Sequence, residues 1–364
     1  MTFLIILTYE RIFLTVAVAL LIYLWFQHKF TYWSRRGVSG PTPVFPFGNI
    51  KDVISKKQQF FQPYIDSYFK YKHLPYVGMY SFHRPVLLIN DLDIAKQILV
   101  KDFEHFQSRG TYSGGIGDRL AANLFNIYGN RWKSLRLKMT PTFTPGKLKT
   151  MFRIVEDIAN QALHYVSMLQ SNGEAIDFSD FYSKYAMEII GSIGFGVECS
   201  GFKNPKSDFY VLGHEYFDHK SFYWRTIRAF AFFAPDLFHS LKIRRISSQI
   251  EDFYYGIVKN TVEHREHHNY RRNDFLQSLI ELKNGQVIDE KGTVNSTDYK
   301  LPNTNLLIEK DTLVFVPIHA IHMDPEIFPN PEKFDPERFT PENKAKLHPC
   351  HWMPVDLKST KVYE

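Results

Sequence analysis

Two cysteines in 364 residues, Cys199 and Cys350, are too few for a disulfide-stapled secreted scaffold. They fit a reducing, cytosol-facing body. The chain also lacks a compact basic run interleaved with stacking aromatics. Its formal charge of +6 and pI of about 9.0 therefore do not mark a nucleic-acid binder. That balance suits anionic lipid or an acidic protein partner. The glycine-rich "RGTYSGGIGD" has no strand before it and no Lys-Ser/Thr after it, which argues against a phosphate loop. Metal-ligand spacing is missing too. His264 and His268 lie one helical turn apart without a third ligand nearby and read as a solvated face. His348, Cys350 and His351 crowd together more tightly than the ligands of a metal site do.

What is present is aromatic and apolar: 32 Phe and 21 Tyr, with aromatics at 16% of the chain. That suits a large core or a membrane-contacting surface. "IFLTVAVALLIYLWF", from Ile12 to Phe26, is apolar but for Thr15. The run is short for a spanning helix, where about 20 residues are usual, and a cleaved signal peptide is the rival. The long apolar region, the missing small-residue cleavage site and the trailing aromatics favour an uncleaved anchor. Trp25, Tyr32 and Trp33 suit an interfacial belt. Lys29, Arg35 and Arg36 on the C-terminal side put the body in the cytosol.

After the anchor, "RRGVSGPTPVFPFGNI" is a stiff extended link, because Pro41, Pro43 and Pro46 forbid helix. A hairpin is expected from Val77 to Phe82 and Val86 to Ile89, turning at His83, Arg84 and Pro85, with Asp91 capping the next helix. From Asn130 to Leu282 the apolar spacing is mostly helical. "SFYWRTIRAFAFFAPDLF" is a dense aromatic patch broken by Pro235; it reads as a core helix plus turn, and Arg225 and Arg228 also suit a segment dipping into a lipid interface. "LLIEK" and "TLVFVPI" are expected as strands about a turn at Lys310-Asp311. Five prolines between Pro325 and Pro341 then predict coil.

Two features carry chemistry. Trp132 and Arg136, four residues apart in "GNRWKSLRLKMTPTF", put an indole N–H and a guanidinium on one helix face. Two such donors suit a carboxylate ligand, although a cation–π pair is the commoner meaning of the spacing. Arg338, in "FDPERF", sits among apolar residues in coil, where a permanent charge calls for anionic partners.

These pieces occur in the order found in a known family. The chain resembles a cytochrome P-450, a haem-thiolate monooxygenase, most like the insect microsomal forms that oxidise xenobiotics. The resemblance rests on the anchor, "GPTPVFPFGN", the hairpin, "RWKSLRLKMTPTFTPGKLK", "IGSIGFGVEC", "RRNDFLQSLIELK" and "DYKLPNTNLLIEKDTLVFVPIHAIHMDPEIFPNPEKFDPERF". It implies a mainly α fold with small β-sheets, plus an N-terminal transmembrane helix. It divides the chain into an anchor (1–28), a basic, proline-rich hinge (29–50), the first part of the catalytic domain (51–292), its β and meander part (293–354) and an aberrant tail (355–364). Residue by residue it implies that Trp132 and Arg136 donate to a haem propionate. Phe125 would contact substrate from the loop between Thr111 and Asn126, and Arg338 would join a buried ion network. Lys133, Arg136, Lys138 and Lys147 would lie near the face that docks an NADPH-dependent reductase. The aromatic patch from Phe230 to Phe238 would touch the membrane. Substrates would be lipophilic small molecules, and the address the endoplasmic reticulum membrane.

The departures are as informative. No Ala/Gly-Gly-x-x-Thr, no Glu-x-x-Arg and no Cys-containing ligand loop occurs in the chain. In family order the first two belong between "LIELK" and "DYKLP", where only "NGQVIDEKGTVNST" stands. After "HPCHWMP" the expected glycine-rich loop is replaced by "VDLKSTKVYE", and the ligand register falls near Val362, which cannot bind iron. The expectation is a monooxygenase by lineage whose oxygen chemistry this chain does not perform. The alternative class is a non-catalytic membrane-bound fragment that binds reductase or lipid.

Overall fold

The computed structural model describes residues 2–115, 117–204, 206–217, 221–285, 298–310 and 312–353. The expected boundary at 292, the joining segment 286–297, Asp311, the tail 355–364 and Val362 lie outside the described residues. Two compact units are present, Met1–Gly110 with Asn295–Glu364 and Thr111–Val294. The architecture is mainly α with small sheets and one N-terminal apolar helix, as the sequence predicts.

The first unit begins with α1 (Thr2–Phe30), 29 residues and therefore about 44 Å long, more than the ~30 Å of a bilayer's hydrocarbon core. None of its apolar window is buried. Trp33 departs from the interfacial belt expected for it. It is 3% exposed, and its indole N–H donates to Met79 O at 2.9 Å. The proline-rich link follows, pinned by Asn49, whose side chain donates to Pro41 O and Thr42 O and accepts from Tyr80 N. After the single turn α2 (Lys51–Ile54), α3 (Gln62–Tyr71) buries Tyr64 and Tyr68, one turn apart. β1 (Tyr76–Ser81) and β2 (Arg84–Ile89) form the expected antiparallel hairpin. Its turn is tighter than expected, at Phe82-His83: Phe82 takes a positive φ of 51°, and Arg84 and Pro85 already belong to β2. Asp91 caps α4 (Leu92–Lys96), accepting Ile94 N at 2.8 Å.

The second unit is helical: α5 (Gly129–Met139), α6 (Pro145–Ser171), α7 (Phe178–Ile189), α8 (Asp208–Phe217), α9 (Phe222–Phe233), α10 (Pro235–Leu241), α11 (Ser248–His268) and α12 (Phe275–Gly285). Pro145 and Pro235 open their helices, where the missing N–H costs nothing. Asp177 and Ser247 cap α7 and α11. Phe209, Leu212, Ala231, Phe238, Ile250 and Tyr254 form the larger core of this unit.

The chain then re-enters the first unit. β3 (Tyr299–Lys300) pairs with β4 (Leu307–Ile308), and β5 (Leu313–Phe315) pairs in parallel with β2. "LLIEK" and "TLVFVPI" are thus not partners of one another. β5 covers the open edge of the first hairpin, where Val86, Leu87 and Leu88 offer it a buried strand. α13 (Ile318–His322) buries Ala320 and Ile321, and α14 (Pro341–Lys344) closes the proline-rich coil. Asp324 is buried there and accepts from Tyr68, Lys72 and Glu326 N.

One ion pair in the helical unit is fully desolvated. Arg265 grips Asp274 with both nitrogens at 2.8 and 2.6 Å, the side chains being 3% and 0% exposed. Removing one partner leaves the other charged and buried, so Asp274→Ala should cost about 3–5 kcal/mol. Lys259→Ala, at an exposed pair with Glu263, should cost under ~1 kcal/mol. Urea unfolding of both variants checks the contrast, and similar midpoints would refute it.

Candidate functional site

The Trp132–Arg136 pair forms on α5 as the spacing requires, with the guanidinium carbon 5.5 Å from the indole centroid. α5 itself has no buried residue. Lys133 and Lys147 are exposed, Lys138 is half-buried, and Lys147 lies 3.5 Å from Glu281. Leu137 and Phe143, on α5 and just beyond it, are exposed apolar residues; so are Leu148, Phe152 and Leu163, which share one face of α6.

Phe125 is 62% exposed. The loop that carries it is nevertheless built on buried polar groups that the sequence reading did not single out. Glu251 is buried. It accepts from Arg119 Nε at 2.8 Å and Arg119 N at 3.1 Å, while Arg244 lies 3.3 Å away. Asp118, 1% exposed, accepts Arg245 N at 2.8 Å. Asn126 donates to Ala121 O. The sequence signal was the Asp118-Arg119 step after the glycines, answered by Arg244-Arg245, but nothing local says which charges meet. Burial raises the Asp118 carboxyl above its ordinary range, and Glu251 adds to it; Arg245 N–H, Arg244 and Tyr112 oppose the shift.

In the first unit Arg338 is held by local contacts. It donates to Asn330 O at 2.6 Å and Lys333 O at 3.3 Å, with Asp335 at 4.0 Å, while its buried Nε has no hydrogen-bond partner among the described residues.

Cys350 is a core residue, packed with Ile321, Leu306 and Met353. His348 and His351 turn inward on their own loop: Cys350 N donates to His348 Nδ1 and His348 N to His351 Nδ1, both at 3.1 Å. Burial raises the Cys350 thiol. Cys199 lies in the other unit, its thiol pushed up to about 12 by burial and by Glu188. His268 spends Nδ1 on His264 O at 2.9 Å. Among the described residues no group of three or more His, Cys, Asp or Glu could hold a metal ion.

The family profile described as Cytochrome P-450 matches residues 38–295 and 290–354. The chain belongs to the cytochrome P-450 family. Relatives include Cytochrome P-450 6a2 of Drosophila melanogaster, 29% identical over 441 positions that take in 94% of this chain and 87% of the relative. Cytochrome P-450 6k1 of Blattella germanica is 30% identical over 438, covering 91% and 83%. Cytochrome P-450 6d3 of Musca domestica is 33% identical over 316, covering 84% and 61%.

Membership in the P-450 family implies haem, whose iron this class binds through a cysteine thiolate. The residues described do not fit that ligation. Both thiols are buried and held toward the neutral form, and neither shares a unit with the other. The Trp132–Arg136 pair is compatible with a carboxylate ligand but supplies no iron ligand.

The Asp118 shift has a sign that can be checked. Its folded-state pKa is raised, so its contribution favours the fold below the unfolded carboxylate pKa and is lost as pH rises through the folded value. Asp118→Asn should flatten that acid-side loss in a stability–pH profile. A profile that superimposes on that of the parent chain would contradict the assignment.

Proposed function

We propose that this chain descends from a membrane-anchored monooxygenase of lipophilic small molecules and that its 364 residues do not carry out the reaction. The observation that carries this reading is the state of its thiols: the chain's only two cysteines are packed in cores, where burial disfavours the thiolate that iron requires.

An interior block missing relative to the family supports the same reading. The alignment with the Drosophila relative runs to 441 positions, more than the 364 residues of the whole chain, so that relative carries residues with no counterpart here. The family profile matches in two pieces that meet at 290–295. In family order the oxygen-handling and Glu-x-x-Arg motifs would stand there, and the sequence carries neither. The packing is in keeping with this, since no residue of α5 is fully buried and Leu148, Phe152 and Leu163 stand exposed on one face of α6, as expected of elements whose neighbours are gone.

In the parent enzyme Trp132 and Arg136 would hold a propionate, Phe125 would touch substrate, and Arg338 would meet a Glu-x-x-Arg helix in place of the backbone carbonyls it now uses. An acidic NADPH-dependent reductase would dock near Lys133, Lys138 and Lys147. α1 would fix the protein in the endoplasmic reticulum membrane with its body in the cytosol. In this chain those surfaces are left to non-catalytic binding of reductase or lipid, a reading favoured by the exposed aromatics Phe222, Tyr223 and Phe230 beside Arg225.

The test is the reduced, carbon-monoxide-bound spectrum of the expressed chain. We expect no thiolate-type Soret band. Such a band would overturn the inactive reading. Sequencing the transcript across Gly292 to Asp298 should show the short junction itself, and a longer message there would remove the missing block from the account.

A further inference from the structure

The loop at 348–353 is held by imidazoles. Cys350 N donates to His348 Nδ1 and His348 N to His351 Nδ1, both at 3.1 Å, and Met353 N donates to His322 Nε2 at 3.0 Å. His351 N returns to His348 O at 2.8 Å, which ties the turn into a ring. Three side chains thus take the acceptor role that backbone carbonyls usually fill. What they fasten is buried: Cys350 and Met353 pack in one core with Leu306, Ala320 and Ile321.

A ring nitrogen accepts only while its lone pair is free. The three bonds therefore fix the tautomers, with the proton on Nε2 of His348 and His351 and on Nδ1 of His322. A second proton must go to the accepting nitrogen. Each such event breaks a bond and leaves a backbone N–H facing an imidazolium. A carbonyl in the same place would not respond to pH.

The surroundings set the sign. Burial lowers the His322 and His351 imidazoles, with His319 adding to the first and His348 to the second. Their contribution to the fold is present above the ordinary imidazole value of about 6.5 and is lost as pH falls through the folded values. From α4, Asp93 Oδ1 lies 3.4 Å from His348 Nε2, so a cationic His348 gains an ion pair as it gives up the Cys350 bond. Lys96 of the same helix acts on the Cys350 thiol. Other polar groups near this core are committed elsewhere: the Tyr299 hydroxyl to Asp102, Asp324 to Tyr68 and Lys72, and Arg338 to the carbonyls of Asn330 and Lys333.

We propose that residues 348–353 form an acid-released latch. At neutral pH three imidazoles hold the loop and its Cys350 thiol in the core of the first unit. In acid the loop opens and presents that thiol to solvent.

The test is a short pulse of iodoacetamide on the full chain in detergent micelles, at about pH 7.5 and at about pH 5, on either side of the imidazole range. Mass spectrometry then reads the ratio of alkylated Cys350 to alkylated Cys199. Burial raises both thiols, so both thiolate fractions fall by the same factor between the two conditions and the ratio reports access. The ratio should rise several-fold in acid. His322→Gln, His348→Asn and His351→Asn each put a carbonyl that does not titrate near the accepting nitrogen, and the triple variant should hold the same ratio at both pH values. A parent ratio that does not change overturns the latch, and so does a triple variant that rises as the parent does. Should the triple variant start with a raised ratio at about pH 7.5, His322→Gln alone decides: a smaller rise than the parent's supports the latch, and an equal rise overturns it.

Discussion

A buried polar or aromatic group must find its partner inside the protein, and this chain is organised by where such partners are available. In the first unit they are. Trp33 has Met79 O and the Tyr80 hydroxyl, and Asp324 has Tyr68 and Lys72. Within the helical unit Glu251 has Arg119, and Arg265 has Asp274. α5 is the exception, a helix with a Trp–Arg pair on one side and no buried residue on any. Helices of this length draw most of their stability from a packed face, and α5 offers only half-buried residues for one, Leu135 and Met139 among them.

Much of the fold was legible because it rests on local rules. The apolar run gave α1, the Asp91 cap gave the start of α4, and alternating residues gave the β1–β2 hairpin. Ordered motifs gave the family, which the profile and the relatives bear out. What escaped depends on distant partners. Trp33 looks like a belt residue beside Trp25 until Gly78 supplies a notch 45 positions on. β5 looks like the partner of β4 until the edge of β2 competes for it. Asp118 and Glu251 look like surface charges until Arg245 N and Arg119 enclose them.

The cysteines show how residue type and environment divide the labour. A Cys between two His invites a metal reading, yet each imidazole Nδ1 accepts a backbone N–H of the same loop, and Cys350 packs in the core with Ala320 and Ile321 of α13. The chemistry of the family needs the reverse: a thiolate held at the edge of a cavity, with donors around it. The chain keeps the frame of such an enzyme while both of its thiols serve packing.

The hairpin and α11 are packed on buried partners, whereas α5 and one face of α6 are the least covered parts of the helical unit. Native-state amide hydrogen exchange on the membrane-reconstituted chain tests this contrast most directly. Slow exchange is expected in β1 and β2 and through the buried face of α11, with α5 exchanging markedly faster. Protection of α5 equal to that of β1 and β2 would contradict it.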